Sequence, residues 1–245
     1  METQLLMKQG VLQGKRVLVT GGAIRVGAVL VRAFADAGAE VIIHCRNHAA
    51  EAAELPASRI LTCDLTEPGA PEKLIADAGD LDILINNASA YIRKPFGTET
   101  QADIQAMLDI NFFAPLALMK AFANTCNPDA CIINLLDQAV LGRTEPGSFG
   151  YLISKKALAD ATECAAIAYA PRIRVNGIAP GPVIAPPGLE HLNMEKTLKT
   201  VPLNRRVEVD DIAQTALYLA TNRSITGTIV SVDGGQHLHN SGRNG

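Results

Sequence analysis

Tyr151 and Lys155 stand four residues apart in FGYLISKKALADATECAAIAY, a stretch with helical patterning, so both side chains emerge on one face. An ammonium beside a phenol favours the phenolate. The expectation is therefore a Tyr151 pKa depressed from about 10, which would suit a proton donor and acceptor near neutrality. A second ionisable group, Asp137, follows the apolar run ACIINLL at 130–136. That run reads as a strand buried on both faces, and it would deliver the Asp137 carboxylate at its C-terminal end.

The third group of residues binds rather than reacts. Gly21, Gly22 and Gly27 punctuate GGAIRVGAVLVRAF directly after the strand-like RVLVT. Glycine at a strand-to-helix turn permits a tight bend and lets the backbone approach a pyrophosphate, which the following helix N-terminus stabilises. About 25 residues further on, where an NAD site usually keeps a carboxylate for the ribose hydroxyls, the second strand ends in HCRN. Arg46 there can pair with a 2′-phosphate, so NADP(H) is the expected cofactor.

Elements must place these groups together. RVLVT, AEVIIHC, SRILTCD, LDILIN, ACIINLL, IRVNGIA and GTIVSVD read as strands, and helices are expected at about 24–37, 67–78, 99–123, 149–169 and 208–221. Strands separated by helices imply crossover connections. The expected fold class is thus α/β, a Rossmann-type doubly wound parallel sheet of seven strands with helices on both faces and ligands at the strands' C-terminal ends. No linker divides the chain, so one domain is expected over 1–245, with a tail at 1–14. The Pro-rich stretch 179–206 is long for a plain connection and reads as a substrate loop.

Composition narrows the function classes. Hydrophobic residues make up 48% and charged residues 19%, which supplies a core and carries no signature of disorder. The net charge is −3 and the basic residues are scattered, so no nucleic-acid footprint is visible. METQLLMKQGVLQGK has neither an apolar leader core nor a run long enough to span a bilayer, and the expected compartment is the cytoplasm. The five cysteines contain no C-x-x-C pair and read as reduced. His44 with His48 and His237 with His239 lack partners at ligand spacing, so no metal is expected.

With these motifs in place, the sequence resembles the short-chain dehydrogenase/reductase family over nearly its whole length. TGGAIRVG resembles the family's nucleotide turn, CDL its adenine-contacting acidic position, NNAS its NNAG motif and YLISK its Y-x-x-x-K; RVNGIAPGPV and ITGTIVSVDGG resemble its C-terminal signatures. The resemblance implies cofactor contacts at Gly21, Arg25, Val26, Gly27, Arg46, Asp64, Leu65, Asn87, Ala88, Ser89, Tyr151, Lys155, Pro180 and Gly181. It implies catalytic roles for Asn111, Tyr151 and Lys155, with Asn111 supporting a proton relay that ends at Lys155. It also implies a homo-oligomer, commonly a tetramer. The Ala-rich face of 149–169 would permit close helix contact, between chains or within one.

Three departures point within the family. Arg25 replaces the middle glycine of the turn, Ser89 ends the NNAS motif, and Asp137 stands where the usual catalytic serine would be. This set is similar to the pteridine reductases and the dihydromonapterin or dihydrofolate reductases, which implies a small-molecule pterin substrate held by Arg25, Ser89, Tyr91, Asp137 and Tyr151. Tyr91 would stack the flat ring. Chemistry agrees: an ionised carboxylate beside a carbonyl oxygen that gains charge would repel it, whereas a pterin offers ring N–H and amino donors. Asp137 acts there either as an anion that orients the pterin or, if burial raises its pKa, as a proton source. Spacing counted back from Tyr151 selects Gln138 instead, but strand register selects Asp137. The rival readings are an NADPH-dependent carbonyl reductase, for example of 3-oxoacyl thioesters, and a non-catalytic NADPH-binding regulator.

Overall fold

Alternation along the strands decides the architecture. In β1 (Arg16–Thr20), Val17 and Val19 pack on one face with Leu30, Val31 and Phe34 of α1 (Arg25–Asp36), while Leu18 faces the opposite side. The same alternation runs through β2 (Glu40–Cys45), β4 (Ile83–Asn86) and β5 (Ala130–Leu135), whose residues divide between two buried clusters. Both faces must therefore be covered, which explains why these strands read as continuous apolar runs. Each fully buried Leu, Ile or Phe contributes about 1.5–3 kcal/mol by leaving water.

The computed structural model describes residues 10–142, 146–183 and 198–238. Within them β3 (Arg59–Thr62), β6 (Ile173–Pro180) and β7 (Ile229–Val232) complete a seven-stranded sheet in the order β3-β2-β1-β4-β5-β6-β7, with every pairing parallel. Short α2 (Ala49–Ala53) follows β2; its AAEAA sequence is too brief to give a helical period, and sequence reading missed it. α3 (Ala70–Ala78), α5 (Ala114–Thr125) and α6 (Phe149–Tyr169) cover one face, and α1 with α7 (Val209–Thr221) covers the other. The order reverses between β1 and β4, and a crevice opens there at the strands' C-terminal ends.

The helix expected at 99–123 is three segments in one rod. α4 (Gln101–Leu108) begins at a capping box in which Thr100 and Asp103 satisfy each other's backbone amides. Asp109–Phe113 then forms a π-helical turn before α5 continues to Thr125. Gln101–Thr125 is long and apolar enough by length and composition to cross a membrane. In this fold Leu118, Met119 and Phe122 are instead spent on the sheet.

Two sequence expectations change at the ends of elements. Leu12 is buried and its amide donates to Ala37 O at 2.9 Å, so the segment expected as a tail at 1–14 is already packed by Leu12. Residues 1–9 lie outside the described residues. Of the stretch read as a loop at 179–206, residues 179 and 180 belong to β6 and 184–197 lie outside the described residues.

Candidate active site

The glycine turn is interlocked with the end of β4. Gly21 has φ +60, and a Cβ on it would lie 2.9 Å from Ala88 Cα; a Cβ on Gly27 would lie 2.1 Å from Gly21 O. Only hydrogen fits at these two positions. Asn87 Nδ2 donates to Thr20 O at 2.9 Å and Gly21 O at 3.0 Å, while Thr20 Oγ1 accepts from the amides of Asn87 and Ala88, each at 3.0 Å. Asn87, expected among the cofactor contacts, directs its side-chain amide to the turn itself.

Arg25, which stands where the family keeps a glycine, has φ +56. An L-residue in that left-handed region costs about 1–2 kcal/mol, so the fold carries strain to present a guanidinium here. Buried His44 supports the same turn and was missed as a site residue. Its Nδ1 accepts from the Gly21 amide at 3.4 Å and its Nε2 donates to Cys63 O at 3.1 Å; burial lowers its pKa, consistent with the neutral ring this pattern needs. The strand pattern VIIHC shows only a polar interruption, with no signal of that partner.

Turn, β2 end and sheet crevice share one cavity of about 1020 Å³. Gly21, Arg25, Val26, Gly27, Arg46, Asp64, Leu65, Asn87, Ala88, Ser89, Tyr91, Asp137, Tyr151, Lys155, Pro180 and Gly181 all line it. Asn111 is the expected site residue that does not. At the β2 end Arg46 donates to Asp64 at 3.3 Å, so a carboxylate does stand beside the expected phosphate partner. Asp64 also accepts from the Thr66 amide and hydroxyl, and these bonds, then Arg46, hold its pKa below the usual carboxylate value. At the far wall a Cβ on Gly181 would lie 2.7 Å from Asp233 Cα, which lets β6 and β7 close together.

Asp137 follows β5 at the N-terminus of a short 3-10 turn, Gln138–Leu141, where its Oδ1 accepts from the Ala139 amide at 2.8 Å. Its Oδ2 accepts from the Tyr151 hydroxyl at 3.2 Å. Asp137, the residue that strand register selects, is thus the one bonded to Tyr151; Gln138 lines the same cavity, and its buried Oε1 has no hydrogen-bond partner among the described residues.

The expected depression of the Tyr151 pKa is corrected. Desolvation, then the charge of Asp137 and the hydrogen bond to it, push the phenol well above 10. Lys155 does not offset this, because its Nζ lies 5.9 Å from the centre of the Tyr151 ring and donates to Leu135 O at 2.7 Å. Burial lowers Lys155 itself to about 8. Tyr151 is accordingly a phenol at neutral pH, able to give a proton. Tyr91 packs edge-on against it, with ring centroids 4.8 Å apart and planes at 73°.

Asn111 sits in the π turn, fully buried. Its Oδ1 accepts from Ser89 Oγ at 2.8 Å and the Ala90 amide at 3.1 Å; its Nδ2 donates to Ala90 O at 3.0 Å and Ser154 Oγ at 3.1 Å. Its side chain therefore joins the end of β4 to α6 rather than reaching Lys155, and Ser89, expected at phosphate or substrate, is directed to Asn111. A π turn at a functional site is a recurrent device for inserting one polar side chain. Among the described residues, no group of three or more His, Cys, Asp or Glu side chains could hold a metal ion.

A strained glycine turn at a parallel-sheet switch point, facing a Tyr and a buried Lys on one helix, defines a Rossmann-type oxidoreductase site. Residues 22–237 match the family described as enoyl-(acyl carrier protein) reductase, and the chain belongs to this short-chain dehydrogenase/reductase family. It is 33% identical to galactitol 2-dehydrogenase of Agrobacterium fabrum, over 93% of this chain and 99% of that protein. It is 30% identical to the L-xylulose reductase of Bos taurus, over 91% and 97%. Among solved structures it is similar to FolM alternative dihydrofolate reductase 1 from Brucella suis in complex with NADP, with TM-score 0.86, 33% identity and coverage of 92% and 96%.

Proposed function

We propose that the protein is an NADPH-dependent reductase of pterins. The observation that carries this reading is the 3.2 Å hydrogen bond from the Tyr151 hydroxyl to the Asp137 carboxylate. A carbonyl oxygen approaching Tyr151 would meet that carboxylate as negative charge builds on it. A pterin reverses the sign, since its ring N–H and amino groups donate to a carboxylate while a ring C=N nitrogen takes the proton of Tyr151.

NADP(H) fits the residues present. Gly21 and Gly27 leave room for a pyrophosphate, Arg46 lines the cavity at the β2 end and would pair with a 2′-phosphate, and similar solved structures include an NADP complex. The bound coenzyme would supply hydride; the chain's residues orient the acceptor and deliver the proton. Tyr151 is the donor, Asp137 holds the ring, Lys155 fixes the floor of the site through Leu135, and Tyr91 walls the ring plane.

A polyol or sugar carbonyl is the second reading, favoured by the relatives named galactitol 2-dehydrogenase and L-xylulose reductase. NADPH oxidation followed side by side with dihydrobiopterin, dihydromonapterin, dihydrofolate, L-xylulose and an acetoacetyl thioester separates the two. Turnover of at least one dihydropterin is expected. Turnover of L-xylulose or the thioester alone would overturn the assignment.

A further inference from the structure

The mouth of the cavity carries a cation that neither the coenzyme turn nor the Tyr151–Asp137 pair uses. Arg93 lines the cavity two residues beyond Tyr91, the ring packed on Tyr151. It is exposed, and its guanidinium forms no hydrogen bond or ion pair among the described residues. Neighbouring cations are neutralised: Lys94 donates to Asp103 at 2.6 Å, and Arg46, at the coenzyme end, to Asp64.

The loop holding Arg93 is fixed to the catalytic helix. The Lys94 amide donates to Gly147 O at 3.0 Å, Phe96 packs edge-on against Phe149 at 5.3 Å, and Glu99 Oε1 accepts from the Gly150 amide at 2.9 Å. These contacts, to the helix and the 3-10 turn before it, all follow Arg93 in the chain, and the packing of Tyr91 on Tyr151 precedes it. The backbone that carries Arg93 is thus tied to the helix of the proton donor, so binding through its side chain adds no backbone ordering cost.

We propose that Arg93 binds a carboxylate that the substrate carries outside its reacting ring, so that the preferred substrate is a pterin with an anionic tail, of the dihydrofolate kind, rather than one with a neutral polyol side chain. The inference rests on the pterin reading. A planar guanidinium suits a carboxylate in a two-pronged pair, and at an exposed site such a pair gives selectivity of modest size that salt weakens.

The test compares kcat/KM for dihydrofolate and dihydrobiopterin in the wild type, Arg93→Gln and Arg93→Glu, at low and high salt. The dihydrofolate to dihydrobiopterin ratio should fall about threefold to tenfold in Arg93→Gln and further in Arg93→Glu. In the wild type it should fall as salt rises. A ratio that is the same in all three proteins while both pterins are reduced would overturn the role of Arg93 and leave the pterin reading standing. Reduction of neither pterin by the wild type would overturn both.

Discussion

The Tyr151 hydroxyl donates to Asp137 Oδ2 across 3.2 Å, joining the catalytic helix to the end of a buried strand fourteen residues earlier in the chain. That bond ties a proton donor to an acceptor in a position where the family commonly keeps a hydroxyl. It makes Tyr151 a poorer acid than an ordinary tyrosine and keeps its proton in place at neutral pH. The cost of a weaker acid is acceptable where the acceptor is a basic ring nitrogen, and less so where it is a carbonyl.

Tyr151→Phe removes the donor while keeping the ring against Tyr91. With dihydropterin as substrate, kcat should fall by about 10²–10⁴, the usual contribution of a positioned general acid. NADPH affinity, read by fluorescence titration, should change far less than kcat.

Gly27→Ala tests the coenzyme cradle. The added Cβ would stand 2.1 Å from Gly21 O and 2.9 Å from Asn87 Nδ2, so the turn must open. Overpacking of this kind costs about 1–3 kcal/mol, and NADPH affinity should fall by about tenfold or more. Affinity equal to that of the wild type would remove the turn from the coenzyme site.

Lys155 gives a pH-dependent signature in stability. Burial lowers its pKa to about 8 from 10.5, so between those values the unfolded chain holds a proton that the native chain has lost. Stability therefore rises with pH across that window on account of this group, and below about pH 8 the penalty for burying the charge is fully present. Compared in urea, Lys155→Met should gain on the wild type at neutral pH, and the gap should narrow between pH 8 and 10.5 by up to about 3 kcal/mol. A gap independent of pH would mean that Lys155 is not titrating as a buried amine.

How much of this was legible in the sequence follows from how local each feature is. The β1 turn and α1 are set by neighbouring residues, so Gly21, Gly27 and the seven-stranded sheet could be read directly. The Tyr151 and Lys155 pairing on one helix was legible for the same reason. The direction of the Tyr151 pKa was not, because desolvation and a carboxylate from β5 decide it. The π turn that holds Asn111, with its bonds to Ser89 and Ser154, and His44 under Gly21 escaped as well. Each acquires its role from a partner or position far away in the chain, which periodicity and spacing do not encode.

Asp137→Ser tests the central claim most directly, because it restores the hydroxyl that a carbonyl reductase would use and removes the carboxylate that a pterin would use. NADPH oxidation should be followed for wild type and variant with a dihydropterin, L-xylulose and an acetoacetyl thioester. The account predicts that kcat/KM for the dihydropterin falls by about tenfold or more, the scale of a lost charge-assisted hydrogen bond, while activity on a carbonyl substrate appears or rises. Unchanged dihydropterin turnover with no gain on either carbonyl would contradict it.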